Sequence, residues 1–184
     1  YPNDKVAEQA NFGLIQTLTQ RGQLDKANTE TEAFRRRYPK SLLLENATLL
    51  QAEALFGQQD FKDALPLYEK SLATTKDPQV AETIEFRMAS CDFNLEQFDK
   101  ARVAFASIAK KYAQGKLVTD ALFRLGQTYY EIANRSNDPK IAQPNLIEAT
   151  KAYDEILTKH PQSSNVAEAT FRLGYLYSYL GAYD

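Results

Sequence analysis

The fold of this chain is decided by the segment Gln59-Asp60-Phe61-Lys62-Asp63-Ala64, because related segments return at a fixed spacing. Residues 22–27 read Gly-Gln-Leu-Asp-Lys-Ala and residues 96–101 read Glu-Gln-Phe-Asp-Lys-Ala, so both steps are 37 residues long. The next copy, at residues 144–149, lies 48 residues further on, and residues 181–184 restore the step of 37. A period in this range predicts a solenoid of stacked repeats, whose usual work is to present a surface to a partner.

Each repeat contains two stretches with apolar residues three and four positions apart, the spacing of amphipathic helices. In the third repeat, Ile84, Met88 and Cys91 form one stripe, and a second stripe begins at Phe98. We therefore predict an all-α chain of antiparallel helix pairs with about nine helices. The predicted helices cover residues 5–20, 24–37, 42–57, 61–74, 79–94, 98–112, 117–133, 145–159 and 164–180.

The repeat units follow from these helices. They cover residues 5–39, 42–76, 79–113, 117–161 with an inserted loop at 131–144, and a partial unit at 164–184. Tyr1-Pro2 stands 37 residues before Tyr38-Pro39, so the chain opens on the end of one repeat and closes inside another. We expect it to be a slice of a longer protein, read as one continuous solenoid.

Two kinds of column explain how the pairs pack. Small residues at a helix crossing let two axes approach, and large residues fill the grooves around them. On the first helices, the register of small residues contains Ala52, Ala89, Gly126 and Gly174, with Ile15 at the same position of the first repeat. On the second helices, it contains Ala27, Ala64, Ala101 and Ala149. Two columns of large residues lie on the second helices. The column at the turn contains Phe61, Phe98, Leu146 and Tyr183, and the column deeper in the helix contains Tyr68, Phe105 and Tyr153.

At residues 122–129, Leu-Phe-Arg-Leu-Gly-Gln-Thr-Tyr, and 170–177, Thr-Phe-Arg-Leu-Gly-Tyr-Leu-Tyr, the chain resembles tetratricopeptide repeats. The likeness extends over the whole chain and implies a right-handed superhelical solenoid. The family's basic period is about 34 residues. The longer period here, with the helix ends Tyr38-Pro39 and His160-Pro161, is similar to bacterial envelope members such as the outer-membrane assembly lipoprotein and the Tol-Pal coordinator. This likeness implies the periplasm or the outer membrane as the location, with the cytoplasm as the alternative.

Candidate partner-binding residues form columns on the first helices. We name as the aromatic lane the column Phe12, Leu49, Phe86, Phe123 and Phe171, and as the second column Phe56, Phe93 and Tyr130. The resemblance implies that first helices line the concave side, where these side chains would offer a groove to a partner segment. The alternative is that they pack between neighbouring repeats.

Arg87, Arg124 and Arg172 each directly follow a lane residue. An arginine there would clamp a partner's carboxylates. In the alternative, each stem packs on an adjacent helix and pairs with a nearby Glu or Asp. The family's clamp for chaperone tails is not expected, because Phe12, Leu49, Phe86 and Phe123 occupy positions where it needs Lys and Asn.

The inserted loop at residues 131–144, which includes Asn137 and Asp138, is a second candidate interface, since insertions in a solenoid often carry contacts. A decoration without a partner is equally compatible with its two prolines and polar cluster.

Composition narrows the remaining function classes. Lys plus Arg number 22 against 24 Asp plus Glu, which disfavours nucleic-acid binding. No apolar run approaches the ~20 residues of a membrane span. Cys91 and His160 are the only residues of their types, so we expect no metal, no cofactor and no enzyme. The favoured function is a scaffold that binds another protein or peptide. The alternative is a spacer or self-association region of a multidomain protein whose activity lies elsewhere.

Overall fold

A computed structural model describes residues 5–181 of the chain, and within them the chain is all-α. Its helices are α1 (Lys5–Gln20), α2 (Leu24–Arg37), α3 (Leu44–Gly57), α4 (Phe61–Thr74), α5 (Pro78–Asn94), α6 (Phe98–Lys111), α7 (Val118–Asn134), α8 (Pro139–Lys159) and α9 (Val166–Leu180). This confirms the predicted number of helices for residues 5–181. Most boundaries agree with the prediction to within two residues, and α8 is the exception.

The chain divides after Cys91 into two compact units. In the first unit, one cluster surrounds Ile15 and Phe34, and another surrounds Tyr68 and Ile84. In the second unit, a cluster is built around Tyr153 and receives side chains from α7, α8 and α9, and Phe105 and Ile108 of α6 are buried as well. Each unit therefore has its own apolar core.

Most residues of the predicted small and large columns are core, including Leu146, whereas Phe61 and Phe98 at the turns are only partly buried. The small residues of α2, α4, α6 and α8, and the rings of Tyr68, Phe105 and Tyr153, are at most 1% exposed. On the first helices Ile15, Ala52, Ala89 and Gly126 are buried as well, whereas Gly174 on α9 is exposed. Tyr183 lies outside the described residues, as do Tyr1 and Pro2. Cys91 is fully buried, as its place on an apolar stripe predicts.

The turns between the first and second helices share one backbone feature. Gly22, Gln59 and Glu96 stand 37 residues apart and have φ values of 67°, 64° and 60°. A left-handed residue at this point ends one helix and starts the next, and glycine adopts it without steric cost. The repeat is thus visible in the backbone as well as in the side chains.

The inserted segment differs from the predicted loop. Helix α7 continues through Asn134 and α8 begins at Pro139, so only residues 135–138 connect them. Asp138 caps α8, since its Oδ1 accepts the Lys140 N–H at 2.9 Å, and Pro139 occupies the start of the helix, where no N–H donor is needed. The loop prediction for residues 131–144 was wrong because Pro139 starts a helix here, and Pro144 lies inside the same helix.

Candidate functional site

The aromatic lane is half-buried along most of its length. Phe12 packs on Phe34 of α2, with ring centroids 6.2 Å apart, and Phe123 packs on Tyr153 of α8 at 5.5 Å. Leu49 and Phe86 are also half-buried, in the first unit. Phe171 on α9 differs, because 67% of its surface is exposed. Most lane residues thus support the second helices of their own repeats and show only part of their surface to solvent.

The second column makes aromatic contacts in both units. In the first unit, the Phe56 ring meets Phe61 edge to face at 5.3 Å. In the second unit, Phe93 meets Phe98 in the same way at 5.4 Å, and Tyr130 meets Tyr175 of α9 at 6.2 Å. All three column members remain half-exposed. The column is therefore a partly open aromatic surface in each unit, as the lane is.

Arg87 and Arg124 each stack on a member of the second column. In the first unit, the Arg87 guanidinium lies 4.7 Å from the Phe56 ring centroid. In the second unit, the Arg124 guanidinium lies 5.6 Å from the Phe93 centroid. Both arginines follow their ring by 31 residues, so this cation–π contact repeats with the period of the chain.

The three arginines differ in their polar partners. Arg87 Nε lies 3.1 Å from Glu53 Oε1, and the same oxygen accepts a hydrogen bond from the Tyr68 hydroxyl at 2.8 Å. Arg172 pairs with Glu168 one turn earlier on α9. Within residues 5–181, Arg124 has no carboxylate partner and donates to the Gln127 side chain at 3.2 Å. Arg87 and Arg172 therefore pair with carboxylates of the same chain, whereas no carboxylate neutralises Arg124 within residues 5–181.

Burial raises the pKa of two tyrosines in these arrangements. For Tyr68 the first cause is burial, followed by the charge of Glu53 and the hydrogen bond to it. Burial also raises the pKa of Tyr153, and the nearby Arg172 opposes that effect. Both phenols are therefore neutral groups of the core.

A pocket opens in the second unit where α7, α8 and α9 meet, with a volume of about 290 Å³. Its walls carry Tyr130, Tyr175 and Tyr179, and the Tyr175 and Tyr179 rings stack with centroids 6.4 Å apart. A hydrogen bond with Tyr175 is the main cause that raises the pKa of Tyr130. We call this cavity the tyrosine pocket. The repeat pattern does not single out Tyr175 and Tyr179, although they follow Phe171 by four and eight residues on the same helix face.

The inserted segment supplies the remaining wall of the tyrosine pocket. Ser136 and Asn137 of the connection line it, together with Pro139, Ala142 and Gln143 of the first turns of α8. The predicted site residues Asn137 and Asp138 thus have separate positions, since Asn137 lines the cavity and Asp138 caps the helix. Their role in partner binding stays a prediction.

Arg135 anchors the connection to the preceding turn of the same unit. Its Nη1 and Nη2 lie 2.8 and 2.9 Å from the two carboxylate oxygens of Glu96, and its guanidinium lies 4.7 Å from the Phe98 ring centroid. The hydrogen bond from Arg135 lowers the pKa of Glu96. This bidentate pair fixes one end of the pocket wall.

A second, smaller cavity of about 210 Å³ adjoins the tyrosine pocket and shares Tyr130 and Tyr175 with it. Arg124, Glu131 and Arg172 line this cavity, so it is charged where the tyrosine pocket is neutral. We call it the arginine pocket. Residues 5–181 contain no group of three or more His, Cys, Asp or Glu side chains placed to hold a metal ion, and no helix with the length and hydropathy of a membrane span.

The repeat geometry agrees with two family profiles. Residues 3–121 match a profile described as a tetratricopeptide repeat-like domain, and residues 120–163 match one described as a tetratricopeptide repeat. The first match covers more than half of the chain. The chain therefore belongs to the tetratricopeptide repeat family, whose stacked helix pairs serve as protein-interaction scaffolds.

Solved structures show the same fold at low sequence identity. A tetratricopeptide repeat protein from Parabacteroides merdae aligns with 93% of this chain and 60% of its own, with a TM-score of 0.69 and 17% identity. A Podospora anserina putative kinesin light chain with nearly identical repeats gives 0.67 at 14% identity, covering 95% of this chain and 86% of its own. A MamA RS-1 double mutant gives 0.64 at 14% identity, covering 95% and 97%. This chain thus spans about 60% of the P. merdae protein. No curated protein matches it closely enough to count as a relative.

Proposed function

We propose that this chain is a non-catalytic scaffold segment that binds a partner protein through the first helices of its repeats. One observation carries the proposal: Phe56, Phe93 and Tyr130 stay partly exposed in repeats whose second helix is present. Tyr175 and Tyr179 of α9 add to this surface in the second unit, with 50% and 43% of their surfaces exposed. Large exposed aromatic patches are typical of interaction surfaces, because a partner that covers them gains apolar burial at low cost in side-chain entropy.

The half-buried lane residues extend this surface within each unit. A ring that packs on its own repeat and still shows an edge is held rigid before a partner arrives, which reduces the entropy lost on binding. In the second unit Phe123 is such a residue, since it is fixed against Tyr153. The lane residues Phe12, Leu49 and Phe86 are the corresponding candidates of the first unit, with Phe56 and Arg87 beside them.

The test is selection of peptides from a phage-displayed random library on the whole chain, followed by affinity measurement on variants. Phe171→Ala is the first variant, because its exposed ring contributes little to the core. Val103→Ala is the matched control, since Val103 is 61% exposed on the second helix α6 and lies outside the lane. We expect Phe171→Ala, or Phe86→Ala combined with Phe123→Ala, to weaken binding of the selected peptides while Val103→Ala leaves it unchanged.

Two results would contradict this function. Failure to select any peptide would favour the spacer alternative. Selected peptides that bind the lane variants as tightly as the original chain would place the interface elsewhere. Circular dichroism of each variant separates loss of binding from loss of fold.

For the location, the proposal is the periplasm or the outer membrane of a bacterial envelope. The 37-residue period and the Tyr-Pro and His-Pro helix ends support it. Fractionation of cells that express the natural full-length protein provides the test, and recovery in the cytoplasmic fraction would support the alternative.

A further inference from the structure

The rim of the tyrosine pocket carries amide groups that bond to nothing else in the protein. Asn134, Asn137 and Gln143 line it, are exposed, and hydrogen-bond through their side chains to no other residue within 5–181. No residue of the pocket lining carries a formal charge. A ligand segment that enters this cavity is therefore uncharged, and it gains hydrogen bonds when it offers N–H or C=O groups to these amides.

These amides favour an extended peptide over a helix. The backbone N–H and C=O groups of an α-helix are already bonded within the helix, so a docked helix offers the amides no backbone partner. An extended or polyproline II segment has free carbonyls along its whole length. Among side chains, proline suits stacked tyrosine rings, because its compact apolar ring contacts an aromatic face and its fixed φ reduces the entropy lost on binding.

The arginine pocket adds a charge requirement next to this neutral site. In the first unit Arg87 is neutralised by Glu53, which precedes it by 34 residues. The residue 34 positions before Arg124 is Ser90, so the acid of the earlier repeat has no counterpart in the sequence. Arg124 is held by its stacking on Phe93 and retains donors for a carboxylate.

We propose that the two pockets together bind an extended, proline-containing peptide, with a proline ring against Tyr175 and Tyr179 and a neighbouring Asp or Glu paired with Arg124. The proposal rests on the proposed scaffold function and names the partner chemistry of one part of its surface. The first turns of α8 form one wall of the tyrosine pocket, and this wall restricts which peptide segments fit into it.

The selected phage peptides provide the first readout. Enrichment of proline next to an acidic residue is expected among peptides that the chain retains. Their affinities are then measured by fluorescence anisotropy on single variants. Tyr175→Ala should weaken binding about tenfold or more, as for an aromatic anchor, and Arg124→Gln should weaken it about tenfold only for peptides that retain the acidic residue.

Matched controls lie in the same unit. Tyr177→Ala removes a tyrosine that is 59% exposed on α9 but lines neither pocket. Arg102→Gln removes a positive charge that pairs with Asp99 away from both cavities. Both control variants should bind the selected peptides as tightly as the original chain.

The outcomes separate this inference from the scaffold function. Peptides that lose affinity in Phe171→Ala but lack proline, or that bind Tyr175→Ala unchanged, would overturn the inference and leave the scaffold function standing. Absence of any selected peptide would overturn both. Binding of chitin oligosaccharides that is lost in Tyr175→Ala, with no proline peptide selected, would assign the pocket to carbohydrate instead.

Discussion

A Cβ atom on Gly126 would lie 2.6 Å from Cζ of Tyr153, so the Tyr153 ring packs directly on the backbone of α7. Gly126→Ala should therefore destabilise the protein. Overpacking costs about 1–3 kcal/mol, which exceeds the gain of about 0.5–1 kcal/mol from replacing a helical glycine. Urea unfolding measures the difference. Gly174→Ala is the control, because a Cβ on Gly174 meets nothing within 4 Å, and it should leave stability equal or raise it.

The Tyr68 hydroxyl is expected to stabilise the first unit through Glu53. Tyr68→Phe removes the hydrogen bond of 2.8 Å and should lower the free energy of unfolding by about 1 kcal/mol. The same substitution at the corresponding position, Tyr153→Phe, should have a smaller effect, because no hydrogen bond links the Tyr153 hydroxyl to another residue within 5–181. Equal losses for the two variants would contradict this account of Glu53.

The turn at Gln59 stores backbone strain that glycine would relieve. Its φ of 64° matches the 67° of Gly22 at the same point of the first repeat. Gln59→Gly should raise the free energy of unfolding by about 1 kcal/mol, since a left-handed conformation costs an L-residue about that much. Gly22→Ala should lower it by a similar amount. Thermal melts of the two variants should move in opposite directions, and a lower melting temperature for Gln59→Gly would refute the prediction.

Alkaline pH should destabilise the second unit through Tyr153. Its pKa is raised in the folded state, so the unfolded chain loses the phenol proton first, at about pH 10. The contribution of the neutral phenol is complete below that pH and declines above it, with a slope approaching about 1.4 kcal/mol per pH unit. Urea midpoints on either side of pH 10 should fall further for the original chain than for Tyr153→Phe. Parallel curves would contradict the assignment.

The sequence predicts the helices well because the repeat supplies each signal several times. Gly22, Gln59 and Glu96 mark equivalent turns, and only the first reveals its conformation by residue type. The insertion was predicted less well, since Pro139 and Pro144 occur in loops and in helix starts alike. The N-cap bond from Lys140 to Asp138, which distinguishes the two, is visible only in the structure.

In the candidate site, the repeat position of a residue does not predict how exposed its side chain is. The lane and the arginine column are periodic and could be found by counting, but exposure depends on what packs beside each ring. Phe123 and Phe171 share a register, yet only Phe123 has a second-helix ring, Tyr153, packed against it. Tyr175 and Tyr179 have no aromatic counterparts one repeat earlier, where Gln127 and Glu131 stand, so the period gave no signal for them.

The added turns of α8 lie upstream of Leu146, Ala149 and Tyr153, the residues that pack this helix into the core. Lengthening a helix from its outer end leaves every packing contact downstream in register. A repeat whose second helix is lengthened in this way gains a new pocket wall, and the neighbouring repeats need no compensating substitutions. Repeat proteins can therefore diversify their ligands one unit at a time, while the rest of the array keeps its original spacing.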